Sequence, residues 1–317
     1  MLGLYNHPIS IAFLDDNMDY LDSLTLGLDL PDKILKYHSP NELTEVIEES
    51  KKRFLDMWKV IKSVDGDEFA EHEVNIRFTS VHRLIYEPTR FNTIPIIIVD
   101  YDMPEQNGLA FCKRLHNQRV FKIMLTAKAD ENTAVHAFNE GLIDKFILKN
   151  QDKLHEVLSA SIQYFKSKYF ANITNPMLAA LNATTNGLLN TYEYKTLLEK
   201  LLKKYKACEY YIIDSFGSCL MFDMQGNTHW LIVRSNEDFH EKSILLTNLD
   251  APEYMIDAVK NKKKLLFLFD NAEYKKSVAQ WEERLYDAMP LNEDYSYSSF
   301  SGEGTASINW QKVCYYR

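Results

Sequence analysis

The chain has 317 residues, 46% of them hydrophobic and 26% charged, a balance that excludes wholesale disorder and gives room for two domains. Its 36 basic and 45 acidic residues leave a net charge of -9, which argues against a wholly basic nucleic-acid binder, although an acidic chain can still carry a basic face. No apolar run approaches the ~18 residues of a membrane helix, the start lacks a signal peptide's basic region, and the cysteines at 112, 208, 219 and 314 lack C-x-x-C spacing; a cytoplasmic protein with reduced thiols, no zinc site and no disulfides is expected.

The first strand is expected from Ile9 to Leu14, an apolar run ending in Asp15-Asp16. A helical pattern follows from Met18 to Leu28, then a short strand from Lys33 to Tyr37. Ser39-Pro40-Asn41-Glu42 has the residues of a helix start: a capping serine, proline at the first position and an acid three beyond the cap. The segments 41–63 and 68–86 both read as helical. Ile94 to Val99 is an uninterrupted apolar, mostly β-branched run of the kind buried in a parallel sheet, and it ends in Asp100. Further strands are expected from Phe121 to Leu125 and Lys145 to Leu148, with helices from Leu109 to His116 and Asn132 to Glu140 between the runs. This alternation predicts an α/β fold with a doubly wound, five-stranded parallel sheet.

In such sheets the reactive groups lie beyond the carboxyl ends of the strands. Those positions hold Asp15, Asp16, Asp100, Thr126 and Lys149. Three crowded carboxylates raise one another's pKa values unless a cation neutralises them. A hard divalent ion such as Mg2+ does so with carboxylates, a carbonyl and waters. The same ion attracts a phosphoryl group, whose transfer needs mainly positioning and charge neutralisation.

Asp15-Asp16, Asp100-Tyr-Asp-Met-Pro104 with Gly108, Leu125-Thr-Ala127 and Phe146-Ile-Leu-Lys149 together resemble the receiver domain of two-component response regulators, over about residues 9–165. The resemblance implies a flavodoxin-like strand order, Asp100 as phosphoacceptor, and Mg2+ held by Asp15, Asp16, Asp100 and the main-chain carbonyl of Asp102. It implies that Thr126 and Lys149 contact the phosphoryl oxygens and that Phe146 is the switch aromatic. It also implies a sensor histidine kinase or phosphotransfer protein as partner. Two departures stand out. The 85 positions from Asp15 to Asp100 exceed by about 40 what the intervening elements need, so a helical insertion at about 41–90 is expected, doubled back as a hairpin. Asn150 stands where the family usually has proline. An Asp102–Lys128 pair tuning the lifetime of the phosphoryl group is a further expectation.

A long fifth helix is expected from Gln151 to Tyr169, ending the receiver near residue 170. A connector over 171–190 and an α+β output domain with an antiparallel sheet over 191–317 follow. In the output domain, Thr191 caps a helix from Tyr192 to Lys206, and Tyr210 to Val233 reads as a three-stranded meander turning near Gly217 and Gly226. A helix from Asp250 to Lys260, a strand from Leu265 to Phe269, a helix from Tyr274 to Met289, a loop from Tyr295 to Gly304 and a final strand from Ile308 to Tyr316 complete the expectation. The chain carries no phosphate-cradling glycine loop, H-E-x-x-H or G-x-S-x-G motif, so no enzyme is expected. Asp214 with Ser215, His229 and His240 read as ordinary turn or surface groups. The aromatic content, 13%, suits a protein-interaction or homodimerisation module. The alternatives are a nucleic-acid binder using Lys200 to Lys206 and Lys260 to Lys264, and an unrecognised output enzyme. As a whole the chain is similar to quorum-sensing response regulators of the Legionella type.

Overall fold

The computed structural model describes residues 3–62, 84–104, 106–116, 118–126, 131–184, 187–268, 273–302 and 310–316. The chain divides into two compact units, one of residues 7–67 and 87–173, the other of residues 2–6, 68–86 and 174–317.

The first unit is a five-stranded parallel sheet flanked by helices. Its strands are β2 (Ser10–Leu14), β3 (Lys33–Tyr37), β4 (Ile96–Asp100), β5 (Phe121–Thr126) and β6 (Lys145–Leu148), in the spatial order β3-β2-β4-β5-β6. β2 and β4 are buried throughout, as strands covered on both faces must be. Each fully buried Ile or Val there contributes about 1.5–3 kcal/mol of transfer free energy. The connecting helices are α1 (Met18–Leu26), α2 (Pro40–Lys62), α3 (Gly108–Arg114), α4 (Glu131–Asn139) and α5 (Leu154–Thr184). Leu43 and Ile47 of α2, with Phe111 and Cys112 of α3, pack into one cluster with Ala12, Ile97, Val99 and Met124.

The expected insertion begins as foreseen: α2 runs 23 residues. Most of the second helical arm, 68–86, lies outside the described residues; its end, Leu84–Tyr86, is a 3-10 turn, followed by another at Pro88–Asn92. The connector expected over 171–190, with some helix in it, is helical as far as Thr184. Asn175-Pro176 reads locally as a break, but Phe170, Ala171 and Thr174 are buried, and packing outweighs local preference here.

The second unit is built on a six-stranded antiparallel sheet in the order β1-β7-β8-β9-β13-β12. The meander is β7 (Ala207–Ile212), β8 (Cys219–Asp223) and β9 (Thr228–Ser235). One edge is supplied by β1 (Tyr5–Asn6), from the far end of the chain, paired to Tyr210 and Tyr211. α6 (Tyr192–Lys204), capped by Thr191 as expected, packs beside β7, and α8 (Glu253–Lys260) follows later in the unit. α7 (Asn236–Asn248), capped by Ser235, was not foreseen.

Three expectations in this unit are corrected. Tyr274 to Met289 is not one helix: 3-10 turns at Glu273–Lys275 and Val278–Arg284 lead into β11 (Leu285–Asp287), which pairs with β10 (Lys264–Leu266), and then β12 (Met289–Pro290). The buried Trp281 donates its indole N–H to the Glu273 carbonyl at 2.9 Å, and Arg284 reaches the Glu273 carboxylate at 2.6 Å, which ties the segment into a tight coil. The expected loop from Tyr295 is β13 (Tyr295–Ser301), paired along its length with β9. Its Tyr/Ser alternation buries Ser296 and Ser298 and has the period of a strand, although the composition resembles a loop. Residues 308–309 of the expected last strand lie outside the described residues; from Trp310 the chain forms a 3-10 turn, and the Cys314 N–H donates to the Ile85 carbonyl instead of to a sheet partner. Cys112 and Cys219 are buried thiols, and burial pushes the Cys112 thiol up to about 12.

Candidate functional site

Because β2, β4, β5 and β6 run parallel, their carboxyl ends share one edge of the sheet. In register, Leu14 lies beside Val99, Asp100 beside Leu125, and Thr126 beside Leu148. The next residues are therefore brought together by topology, not by sequence proximity. Asp15 and Asp16 follow β2, Asp100 closes β4, Thr126 closes β5, and Lys149 follows β6.

Asp15, Asp100 and Thr126 are buried, and Asp16 is exposed. The Lys149 ammonium lies 2.6 Å from Asp15 Oδ2 and 2.9 Å from Asp100 Oδ1, bridging the two carboxylates. Its backbone N–H donates to the Thr126 carbonyl at 2.7 Å, which fixes where the side chain starts. The Lys149–Asn150 bond is trans. Phe146 is half-buried against the core, Asp102 is exposed, and Lys128 lies outside the described residues.

The segment after Asp100 is held tightly. The Gly108 N–H donates to the Tyr101 carbonyl at 2.9 Å, Asn107 caps α3, and Met103 is buried in the core. A Cβ on Gly108 would lie 2.0 Å from the Asp100 carbonyl oxygen, so this position admits only glycine without moving the strand end.

Burial raises the Asp100 carboxyl above its ordinary value and the neighbouring Asp15 charge pushes the same way, against the opposing bond from Lys149. For Lys149 burial works downward, but the bonds to Asp15 and Asp100 outweigh it and the ammonium is held above its usual range. One lysine thus meets two buried acids, with a third carboxylate at hand.

One carboxylate oxygen from each of Asp15, Asp16 and Asp100 lies within 4.8 Å of the others. Octahedral Mg2+ with bonds of about 2.1 Å places its ligands roughly 3–4 Å apart, so small side-chain adjustments would bring the trio onto one ion. The all-oxygen donor set and its excess of negative charge fit that ion.

A residue that sequence reasoning missed also belongs to this edge. Tyr20, in the first turn of α1, has its backbone N–H bonded to the Asn17 cap at 2.9 Å. Its ring centroid lies 4.3 Å from the Lys149 ammonium. The helical return to the strand edge, four residues after Asp16, was the available signal.

In the second unit, Asp214 is a structural group. It accepts from the Phe216 and Ser218 N–H groups and pairs with buried Arg234 at 2.9 Å. His229 lies across the strand pair from Ser301, with its Nδ1 2.8 Å from the Ser301 hydroxyl, and stacks on Tyr205. His240 is exposed. Lys200, Lys203, Lys204, Lys206, Lys260, Lys262 and Lys263 are exposed, and Lys264 pairs with Asp287 at 2.8 Å.

Residues 65–159 match the response regulator receiver domain family. The match begins after α2 and so omits β2, Asp15 and Asp16, which the fold nevertheless places beside β4. No curated protein is significantly similar to the chain. Among solved structures, the chain is similar to the Legionella pneumophila response regulator LqsR at 26% identity, covering 99% of this chain and 94% of that one with a TM-score of 0.78. Weaker likenesses include an adenylate cyclase from Rhodopirellula baltica (19% identity, 54% of this chain and 95% of that one covered, TM-score 0.34). A receiver domain protein from Clostridium thermocellum is at a comparable level (17% identity, 51% and 96% covered, TM-score 0.34). Residues 65–159 therefore have the sequence character of a receiver domain, and the fold is similar along nearly the whole chain to that of one response regulator.

Proposed function

We propose that the chain is a phosphorylation-controlled response regulator whose receiver, the parallel-sheet unit, accepts a phosphoryl group on Asp100. The observation that carries this reading is the Lys149 ammonium bridging Asp15 and Asp100, with a carboxylate oxygen of Asp16 within 4.8 Å of theirs. Asp15, Asp16, Asp100 and the Asp102 carbonyl would hold Mg2+, which when bound supplies charge neutralisation for an incoming phosphoryl group.

An Asp100 carboxylate oxygen attacks phosphorus, and the bond from phosphorus to the donor breaks, its electron pair leaving with the donor. The donor is a phosphohistidine of a sensor kinase or phosphotransfer protein, or a small acyl phosphate. Lys149 shifts from the Asp100 carboxylate to the phosphoryl oxygens, and the Thr126 hydroxyl donates to them. That displacement of Thr126 gives Phe146 room to move inward, and the new charge shifts an existing two-state equilibrium.

The remaining residues, 191–317 with a helical connection ahead of them, form the effector. We read it as a non-enzymatic interaction or homodimerisation module, in a cytoplasmic protein; among the described residues no helix is long and apolar enough to cross a membrane. The exposed lysines of α6 and of the α8–β10 turn favour a second reading, a nucleic-acid-binding effector. A steep loss of oligonucleotide binding with added salt would support it, since phosphate contacts release counterions.

Incubation of the full chain with acetyl phosphate and Mg2+, beside Asp100→Asn, tests the main reading. The native chain is expected to gain the mass of one phosphoryl group and change its oligomeric state, and the variant to do neither. Equal phosphorylation of both would refute it.

A further inference from the structure

Tyr20 has two properties not accounted for by packing. Its ring lies against the Lys149 ammonium, 4.3 Å from centroid to nitrogen. Its hydroxyl oxygen is shielded from solvent and has no hydrogen-bond partner among the described residues. An unmade bond at a buried hydroxyl is costly, and such groups persist where a ligand completes them. The Lys149 ammonium against this ring is itself bonded to Asp15 and Asp100, so the side chain borders the acidic edge. It also sits on a fixed base: the Asn17 cap holds the Tyr20 N–H, and the Asn17 N–H in turn donates to Asp15 Oδ1 at 2.9 Å.

We infer that Tyr20 is an additional phosphoryl-binding residue, its hydroxyl donating a hydrogen bond to a phosphoryl oxygen on Asp100 while its ring holds the Lys149 ammonium against that group. This rests on Asp100 being the phosphoacceptor. The chemistry suits the geometry: the acidic trio repels a phosphoryl group wherever a cation does not cover it, and a neutral donor adds attraction without competing for the metal. The ring offers the ammonium a face that attracts a cation when Lys149 leaves the Asp100 carboxylate.

Beryllofluoride, a tetrahedral phosphoryl mimic that coordinates a carboxylate, is a suitable probe. The full chain with Mg2+ would be titrated while bound fluorine is followed by 19F NMR, and Mg2+ affinity measured separately. Tyr20→Phe keeps the ring and removes only the donor; it is expected to weaken beryllofluoride binding about tenfold, the size of one bond to a charged group. One bound fluorine resonance should shift, and Mg2+ affinity should stay as in the native chain. Tyr20→Met, which also removes the ring, is expected to bind the mimic more weakly still. Unchanged beryllofluoride affinity in Tyr20→Phe overturns the inference, as does an equal loss of Mg2+ affinity, which would make Tyr20 a mere support for the acids. Asp100→Asn separates the two levels. If the native chain binds no more of the mimic than Asp100→Asn, the phosphoacceptor reading fails and the role of Tyr20 falls with it.

Discussion

The two sheets of this protein treat buried charge in opposite ways. In the parallel sheet, residues as distant in sequence as Asp15, Asp100 and Lys149 meet because every strand ends on the same edge. The result is unbalanced, with the Asp100 carboxyl raised mainly by burial and the Lys149 ammonium shared between two acids. In the antiparallel sheet, strand ends alternate, and charge is settled locally. Buried Arg234 is paired with Asp214 at 2.9 Å, lies 3.6 Å from Asp238 and is flanked by the rings of Phe216 and Phe267. A site left out of balance is ready to receive a ligand, whereas one closed by its own neighbours stabilises the fold.

The sharpest separation of the two comes from removing one cation from each. Lys149→Ala should slow phosphorylation of Asp100 by acetyl phosphate about a hundredfold, the usual effect of losing one preorganised charge contact. Single-turnover mass spectrometry would measure it, and the antiparallel sheet should unfold as before. Arg234→Met should leave that rate alone but cost about 1–3 kcal/mol in stability, because the half-buried Asp214 and Asp238 carboxylates lose their shared guanidinium. Chemical denaturation would check this; a slowed phosphorylation with unchanged stability would reverse the contrast.

Gly108→Ala tests the close approach behind Asp100. A Cβ 2.0 Å from the Asp100 carbonyl has to push the strand end aside, with an expected cost of about 1–3 kcal/mol and weaker Mg2+ binding, both readable in one thermal melt with and without the ion.

The smallest effect concerns pH. The folded Asp100 carboxyl is raised, so its contribution to stability is full below the unfolded value and is lost as pH rises through the folded one. Without divalent ions, Asp100→Asn should therefore gain stability relative to the native chain as pH rises through and above the ordinary carboxylate range. Added Mg2+ should stabilise the native chain in return, since it binds only the folded state. A stability gap that ignores pH would mean that Asp100 is not strained in the free protein.

The same contrast between sheets explains what could be read in advance. In the parallel unit each strand is an apolar run stopped by a chemical residue, so Asp100, Thr126 and Lys149 announce both the strand end and the site. Tyr20 was passed over because its role depends on where a helical turn returns in space. In the antiparallel unit the signals were weaker. β1 is two residues long and pairs with a strand about two hundred positions away. β13 is written in serine and tyrosine, a composition shared with loops, and only its pairing with β9 makes it a strand. The coil around Trp281 has a helical composition, but the Glu273–Arg284 pair and the buried indole closed it into shorter turns. α5 passed through Asn175-Pro176 for the same reason: local breaking signals yield when enough neighbouring surface is buried.

The central claim is that one cleft, formed by residues scattered along the chain, carries a phosphoryl group on Asp100. Trapping the phosphorylated protein with borohydride, which reduces an aspartyl phosphate to homoserine, and locating the converted residue by peptide mass spectrometry tests this most directly. The account predicts conversion at Asp100, dependent on Mg2+ and lost in Asp16→Ala. Conversion at another residue, or at Asp100 without any need for the ion, would contradict it.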